Sequence, residues 1–370
     1  MTEGTRPERT ALPALLRAAG LFTAVAALLF LAFLFMRDSR APKALIAMIA
    51  LIIGIGGVWG LFYAGNGVVE ALPRRLREAA RPWLFVGPAI LILCIYIVFP
   101  AVRTIWISFF DRTSQVFVGL ANYAFIITDP EMLLVLRNTL LWVLLVPFFS
   151  VVLGLLIAVL IDRLGRVVER VIKALIFLPM AISFVGASVI WRFVYYFQPA
   201  GYDQVGLLNA IFTALGGEPQ AWLTQIPWNA IGIPWINNLF LIFIMIWLQT
   251  GFAMVILSAA VKGVPQELLE AARIDGAGEV RVFFRITIPR IRATVLTVST
   301  TILFLVLKVF DVVFVMTSGN FDTDVVASRM YAEAFRFFDF GRGSALAVLL
   351  FIIVVPFMMR TVRRMRRESA

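Results

Sequence analysis

Long apolar runs alternate with short polar connections, most of them basic, along the whole chain. A helix needs about 20 apolar residues to cross a hydrocarbon layer about 30 Å thick. Eight runs reach or approach that length: 18–36, 44–63, 83–102 (extendable to Phe110), 138–161, 174–193, 236–261, 294–316 and 344–359. The last is short, but from Leu346 to Met359 only Pro356 departs from the apolar pattern. The pattern predicts an all-α, polytopic membrane protein with about eight transmembrane helices.

The connections give the orientation. With the N-terminus inside, segments 1–17, 64–82, 162–173, 262–293 and 360–370 are cytoplasmic and carry 22 Lys and Arg residues. The outer segments 37–43, 111–137, 194–235 and 317–343 carry 8. Basic residues concentrate on the cytoplasmic side, so both termini are expected there, in the bacterial cytoplasmic (inner) membrane. Arg103 and Arg192 lie near span ends, where long cationic side chains reach the headgroups. The first run is too long for a signal-peptide core, and Arg37-Asp38-Ser39-Arg40 offers no small-residue cleavage site, so a retained first span is expected.

Composition agrees with lipid as the solvent. The chain is 61% hydrophobic and 15% charged, against roughly 25% charged in soluble domains. Its mean hydropathy is +0.94. The net charge of +11 follows from the basic inner loops, and no nucleic-acid-binding pattern accompanies it, so no nucleic acid is expected as a partner. The chain has no histidine and a single cysteine, Cys94. That removes intrachain disulfides, Cys or His metal sites and His-dependent nucleophilic catalysis. None of Lys43, Lys173, Lys262 and Lys308 follows a glycine, so there is no phosphate-binding Walker loop. No cofactor, no metal and no catalytic residue are expected.

Two parts are predicted. Residues 1–82 hold a cytoplasmic segment, two accessory helices without ionisable residues and a basic linker with Arg74, Arg75, Arg77 and Arg81. Residues 83–370 form a six-helix core. Pro88, Pro100, Pro147 and Pro179 lie in or beside its spans and predict kinked, packed helices. The outer loop 194–235 reads as an interfacial cap of short helices and turns, with Trp222, Trp228 and Trp235 near the interface.

The inner loop 262–293 has its own pattern. Pro265, Glu267 and Glu270 favour a helix start. Leu268, Leu269, Ala271 and Ala272 place apolar residues at helical spacing, and Asp275-Gly276 predicts a turn. A second short helix carries Val280, Phe283, Phe284 and Thr287 on one side, and Pro289 is expected to end it.

The run Glu270-Ala271-Ala272-Arg273-Ile274-Asp275-Gly276-Ala277, with Phe283-Phe284 and Ile286-Thr287-Ile288-Pro289 after it, resembles the EAA loop of binding-protein-dependent ABC importers. Ile288 stands where the motif commonly has Leu. Leu178-Pro179 and Thr317-Ser318-Gly319-Asn320 resemble further landmarks of type I sugar-importer permeases of the maltose and α-glucoside type. Residues 307–311 and 338–342 look most like the α-glucoside members.

That resemblance implies a permease subunit without an ATP site. Its partners would be a dimer of ATP-binding subunits, a second homologous permease, a periplasmic or lipid-anchored sugar-binding protein, and membrane lipid. Glu270, Ala271, Ala272, Asp275, Gly276, Ala277, Phe283 and Pro289 would couple to the ATPase, whose closure would drive alternating access. The substrate pathway would involve Lys308, Asp311, Gln249, Trp247 and Met180. Lys308 and Asp311, three apart in the seventh span, share a helix face. They could form an internal ion pair, bind sugar hydroxyls, or do both. The rival reading is an ion-coupled secondary transporter, which needs carboxylates within its spans; Asp311 is the one clear candidate.

Overall fold

The computed structural model describes residues 11–39, 41–162, 164–224, 232–233 and 235–368. The described chain is all-α apart from one isolated β-bridge between Phe110 and Phe117. Among the described residues, seven helices are long and apolar enough to cross a membrane, and an eighth span would be a bent pair. The chain divides into two compact units, Met1–Arg103 and Thr104–Ala370. The division falls inside the third long helix.

In the first unit, α1 (Ala11–Asp38) and α2 (Lys43–Glu70) form an antiparallel hairpin. Leu29 of α1 closes on Gly57, Val25 lies beside Gly60, and Ala18 beside Gly67. Glycines on one helix let the side chains of the other approach its backbone, which is how helices associate where lipid removes the hydrophobic drive. Only three residues separate the end of α2 from the start of helix α3 (Arg74–Leu93). The basic stretch expected as a linker is therefore mostly the first turns of a helix, because Arg and Leu both have high helix propensity. A π-turn (Cys94–Val98) joins α3 to α4 (Phe99–Ile107). It ends two residues before Pro100, and the Phe99 N–H bonds back five residues to the Cys94 carbonyl. Widening the turn accommodates the ring and the missing donor without breaking the helix.

The second unit is built around two helices. They are α6 (Pro130–Asp162), which follows the short α5 (Ala121–Thr128), and α10 (Ile236–Lys262). Trp142, Val146 and Ala158 of α6 and Leu241, Met245, Leu248 and Met254 of α10 are buried in one core. Gly154 makes this closeness possible, since its α-carbon faces Ala253 and the Met254 backbone. In α10, 61% of the apolar window is buried, against none in the third long helix. Helix α10 is thus the central post of its unit, whereas the surface of α3 and α4 is left for lipid or protein neighbours.

The fifth span is not the continuous helix expected. Helix α7 (Arg166–Phe177) gives way to a 3₁₀ turn at Leu178–Ala181, and α8 (Phe184–Val194) leaves at 100°. Pro179 lies in the turn, Ile182 and Ser183 are extended, and Ser183 Oγ caps α8 by accepting the Gly186 N–H at 3.1 Å. A proline followed by a capping serine stops one helix and starts another.

The connection expected on the outer side contains the short helix α9 (Leu207–Ala214). Trp222, however, is 8% exposed and packs its ring on Phe212 and Phe240. It is core, not the interfacial anchor expected from its position. Trp235 is 37% exposed, and Trp228 lies outside the described residues.

The seventh span also differs. The short α11 (Gln266–Ile274) precedes a continuous helical path of α12 (Glu279–Val282), a π-turn (Phe283–Thr287) and α13 (Ile288–Leu307). The spanning helix is therefore Glu279–Leu307, not 294–316. Pro289 does not end a helix. The π-turn again stops two residues before the proline, and the Ile288 N–H again reaches back five residues, to Phe283. After a break at Lys308–Phe310 comes α14 (Asp311–Met316). Then follow α15 (Val326–Tyr331), a further π-turn (Ala332–Arg336) and α16 (Phe340–Glu368).

Candidate coupling and translocation site

Helix α11 is a knob between α10 and α12. Pro265 is its N-cap and Glu267 lies in its first turn, where a carboxylate complements the helix dipole. Its end is a complete Schellman turn. Gly276 has φ +78°, its N–H donates to the Arg273 carbonyl at 3.0 Å, and the Ala277 N–H donates to Ala272 at 2.9 Å. A side chain at Gly276 would be strained in that left-handed conformation. Arg273 then bridges the turn to Glu279 at 2.8 Å, which raises the guanidinium pKa. One hydrogen-bonded turn and one ion pair thus fix α11 against α12.

The knob has two faces. Leu269 and Phe283 pack against the core, and Thr287 is buried. Ile274, Val280 and Phe284 point away and are 86%, 73% and 63% exposed. The sequence pattern assigned Val280, Phe283, Phe284 and Thr287 to one side; the structure splits them into an outer pair, Val280 and Phe284, and an inner pair, Phe283 and Thr287. Each pair is four residues apart, and the packed core selects which one is buried. Glu270, Ala271, Asp275, Gly276 and Pro289 are exposed, while Ala272 and Ala277 are half-buried. Gly276, Val280, Phe284 and Arg285 line a groove of about 570 Å³. Large apolar side chains are thus left exposed around this groove.

The foot of the knob is tied to the spans. Lys262, the last residue of α10, lies 2.6 Å from Glu169 Oε1 on α7 and 3.4 Å from Asp162 at the end of α6. These ion pairs join the knob's foot to the ends of α6, α7 and α10.

Trp247 and Gln249 flank the crossing of α10 with the α7–α8 bend. Gly251, two residues further on, touches the backbone of Ile176 and Phe177, and Met180 sits in the 3₁₀ turn after them. Trp247 packs edge-on against Trp191, with ring centres 5.6 Å apart. Gln249 is 2% exposed, and among the described residues its Oε1 has no hydrogen-bond partner. Leaving such an acceptor unmet costs about 1–3 kcal/mol.

Lys308 and Asp311 lie at a different break. They do not share a continuous helix face, because Lys308 follows the end of α13 and Asp311 begins α14. Among the described residues no ion pair joins them, and no hydrogen bond joins Lys308 to Gln249, Trp247 or Met180. Lys308 is exposed and Asp311 half-buried. Beside the break, Phe310 stacks on Phe314 at 4.9 Å and meets the Tyr331 ring at a tilt, with centres 5.0 Å apart.

One polar cluster was missed by the sequence reading. Asn138 Nδ2 donates to the carbonyls of Asp322 (2.6 Å) and Asp324 (3.0 Å). Asn237 Nδ2 donates to Phe321 (2.6 Å), and Asn238 Nδ2 to Asp322 (3.2 Å). All three asparagines are buried. They clamp a loop in which Ser318, Gly319, Phe321 and Asp322 have positive φ. The signal available was three asparagines at the ends of apolar runs, opposite a Ser-Gly-Asn turn.

The described chain is thus a multi-pass helical membrane protein with an exposed, capped knob between two packed spans. The chain belongs to the family of binding-protein-dependent transport system inner membrane components, which matches residues 150–366, and it is the transmembrane subunit of an ABC-type importer. It is 55% identical to the osmoprotective compounds uptake permease protein GgtC of Synechocystis sp., over 77% of this chain and 99% of that one. It is 50% identical to the alpha-glucoside transport system permease protein AglF of Rhizobium meliloti, over 82% and 88%. Among solved structures, a bacterial ABC transporter that imports the acidic polysaccharide alginate has the same fold, with a TM-score of 0.64 at 21% identity over 80% of this chain and all of the other.

Proposed function

We propose that this permease carries an α-glucoside or a related oligosaccharide inward, within an assembly of two ATP-binding subunits, a second permease and a sugar-binding protein. The observation that carries the substrate is the 50% identity to an alpha-glucoside permease over 82% of the chain. A neutral polyhydroxyl solute also suits a pathway with a buried carboxamide acceptor at Gln249, indole rings at Trp247 and Trp191 and few charges. Lys308, Asp311 and Met180 complete the proposed path. An osmoprotective compound is the second candidate, from the 55% identity to GgtC.

In this reading both termini and the knob are cytoplasmic. The apolar tip Ile274, Val280 and Phe284 inserts into a groove of the ATPase, and Glu270 meets a basic group there. ATP-driven closure of the ATPase pulls α11 and, through Lys262, the ends of α6 and α7. The 83–370 core, as the sequence divides it, would perform alternating access, with 1–82 as an accessory part.

The test is uptake by the assembled complex in proteoliposomes, with labelled α-glucosides and osmolytes offered separately. ATP-dependent accumulation of an α-glucoside is expected, with no response to a proton gradient. Accumulation of osmolytes alone would reject the substrate. Labelling of a cysteine placed at Gln266 by an impermeant reagent outside intact cells would reject the orientation.

A further inference from the structure

A basic pocket lies where α6 and α10 end and α7 begins, and the transport reading makes no use of its excess charge. Arg166, Glu169, Arg170, Lys173 and Lys262 enclose a cavity of about 340 Å³. Four cations face one carboxylate. Glu169 Oε1 holds the ammonium groups of Lys173 and Lys262, each at 2.6 Å. Arg166 and Arg170 stand one helical turn apart and exposed, and among the described residues neither guanidinium has a hydrogen bond or ion pair. Asp162, 3.4 Å from Lys262, is the other carboxylate nearby. Two unengaged guanidiniums beside two lysines form a site for a phosphate, which arginine binds with paired N–H groups.

The rest of α7 selects the kind of phosphate. Val167, Val171 and Leu175, each four residues apart, are exposed along the same helix. A basic row beside an apolar row marks a helix at the boundary between headgroups and acyl chains. The 100° bend to α8 turns α7 away from the direction of its partner segment. Gly165, the N-cap, offers no side chain to the first-turn N–H groups of α7, which adds positive potential at the pocket. Basic pockets between membrane helices favour anionic headgroups.

We propose that this pocket binds the headgroup phosphate of an anionic phospholipid, with acyl chains lying along Val167, Val171 and Leu175. Because Lys262 is the residue from which the knob loop springs, the bound lipid braces the joint between spans and knob. The proposal does not depend on the solute carried or on the orientation in the membrane.

The test uses the full-length protein, with partner subunits where purification needs them, in nanodiscs of mixed phosphatidylglycerol and phosphatidylcholine. Retained lipids are counted by native mass spectrometry. The wild type should enrich phosphatidylglycerol. Arg166→Ala with Arg170→Ala should lower that enrichment roughly tenfold to thirtyfold, from about 1 kcal/mol for each basic group. Arg290→Ala with Arg292→Ala, an exposed basic pair elsewhere, should change it less than about twofold. Glu169→Gln, which removes the opposing charge, should raise it. Equal losses from the two arginine pairs, or no response in any variant, would overturn the site. So would complete displacement by inorganic phosphate, which marks a simple anion site, or loss of the lipid when the ATPase binds, which makes an acidic protein surface the occupant.

Discussion

Gly251 lies so close to Ile176 that a β-carbon added to it would overlap the Ile176 carbonyl oxygen. Helix α10 crosses the end of α7 at this point, with Ile176 two residues before the turn at Leu178–Ala181 and Gly251 two residues from Gln249. Replacing glycine by alanine inside a helix ordinarily gains up to about 1 kcal/mol. Here the obstacle is backbone, which cannot rotate away, and overpacking costs about 1–3 kcal/mol. Gly251→Ala should therefore lower the thermal midpoint of the purified protein and reduce uptake. Gly54→Ala is the control, since nothing lies within 4 Å of the added carbon, and it should be neutral or stabilising. Fluorescence-detected size exclusion after heating measures both. A Gly251→Ala protein as heat-resistant as the control would contradict the close crossing.

The knob should be sensitive to its cap in a way that abundance does not register. Proline at Gly276 cannot adopt φ +78° and lacks the N–H that bonds Arg273. Glu270→Lys leaves the helix intact and reverses one exposed charge. Both variants should stay in the membrane at near-normal amounts, lose co-purification with the ATPase and lose ATP-dependent uptake. Wild-type uptake by both would remove the knob from the mechanism.

At Lys308 the structure changes the expected outcome. A buried pair with Asp311 would make Lys308→Ala destabilising by about 3–5 kcal/mol and rescuable by removing both charges. With no pair present and Lys308 exposed at a helix break, the single variant should fold at wild-type abundance and transport with a raised apparent KM. Removing Asp311 as well should restore nothing. Full rescue by the double variant would mean that the two groups pair in another conformation of the cycle.

Asp324, in the loop clamped by Asn138, has its carboxyl pKa raised, first by burial and against the pull of hydrogen bonds from Ser328 and the Val325 N–H. The folded loop thus holds this proton more tightly than the unfolded chain does. Acidification through the folded pKa adds stability from this group, and the ionised form carries a penalty above it. Asp324→Asn, which keeps an acceptor for Val325, should match or exceed the wild-type thermal midpoint at pH 7.5. Its advantage should shrink toward pH 5. A clearly lower midpoint for the asparagine variant at pH 7.5 would show that the ionised carboxylate stabilises the loop.

Much of this protein was legible because its constraints are local. A span must bury its backbone in its own hydrogen bonds, so apolar length alone reveals it. The fifth and seventh spans departed most from the expected helices, and the third began earlier than expected. The Asp275-Gly276 turn was readable for a similar reason: glycine is the residue that takes positive φ without strain, and the Schellman bonds close within six residues. The proline effects were legible only in part, since the kink expected at Pro179 is present but the other prolines act differently. Pro147 sits inside the 33-residue α6 and is buried there, Pro289 follows a π-turn in an unbroken helix, and Pro179 accompanies a 100° bend. The residue is the same each time, and the neighbouring contacts decide the result.

The sequence by itself determined that the chain is all-α and crosses the membrane many times, and that one basic loop folds into a capped knob. Those properties follow from hydrophobic length, residue type and spacing within a few turns. Tertiary structure alone decided that Lys308 and Asp311 part at a helix break and that Val280 and Phe284 face outward while Phe283 and Thr287 face inward. It also set Gln249 beside the α7–α8 bend and gave the asparagines at 138, 237 and 238 a distant loop to hold. Each of these depends on surfaces far apart in the chain. A buried carboxamide or a broken helix is stable only once another element supplies its hydrogen-bond partners and fills the space beside it.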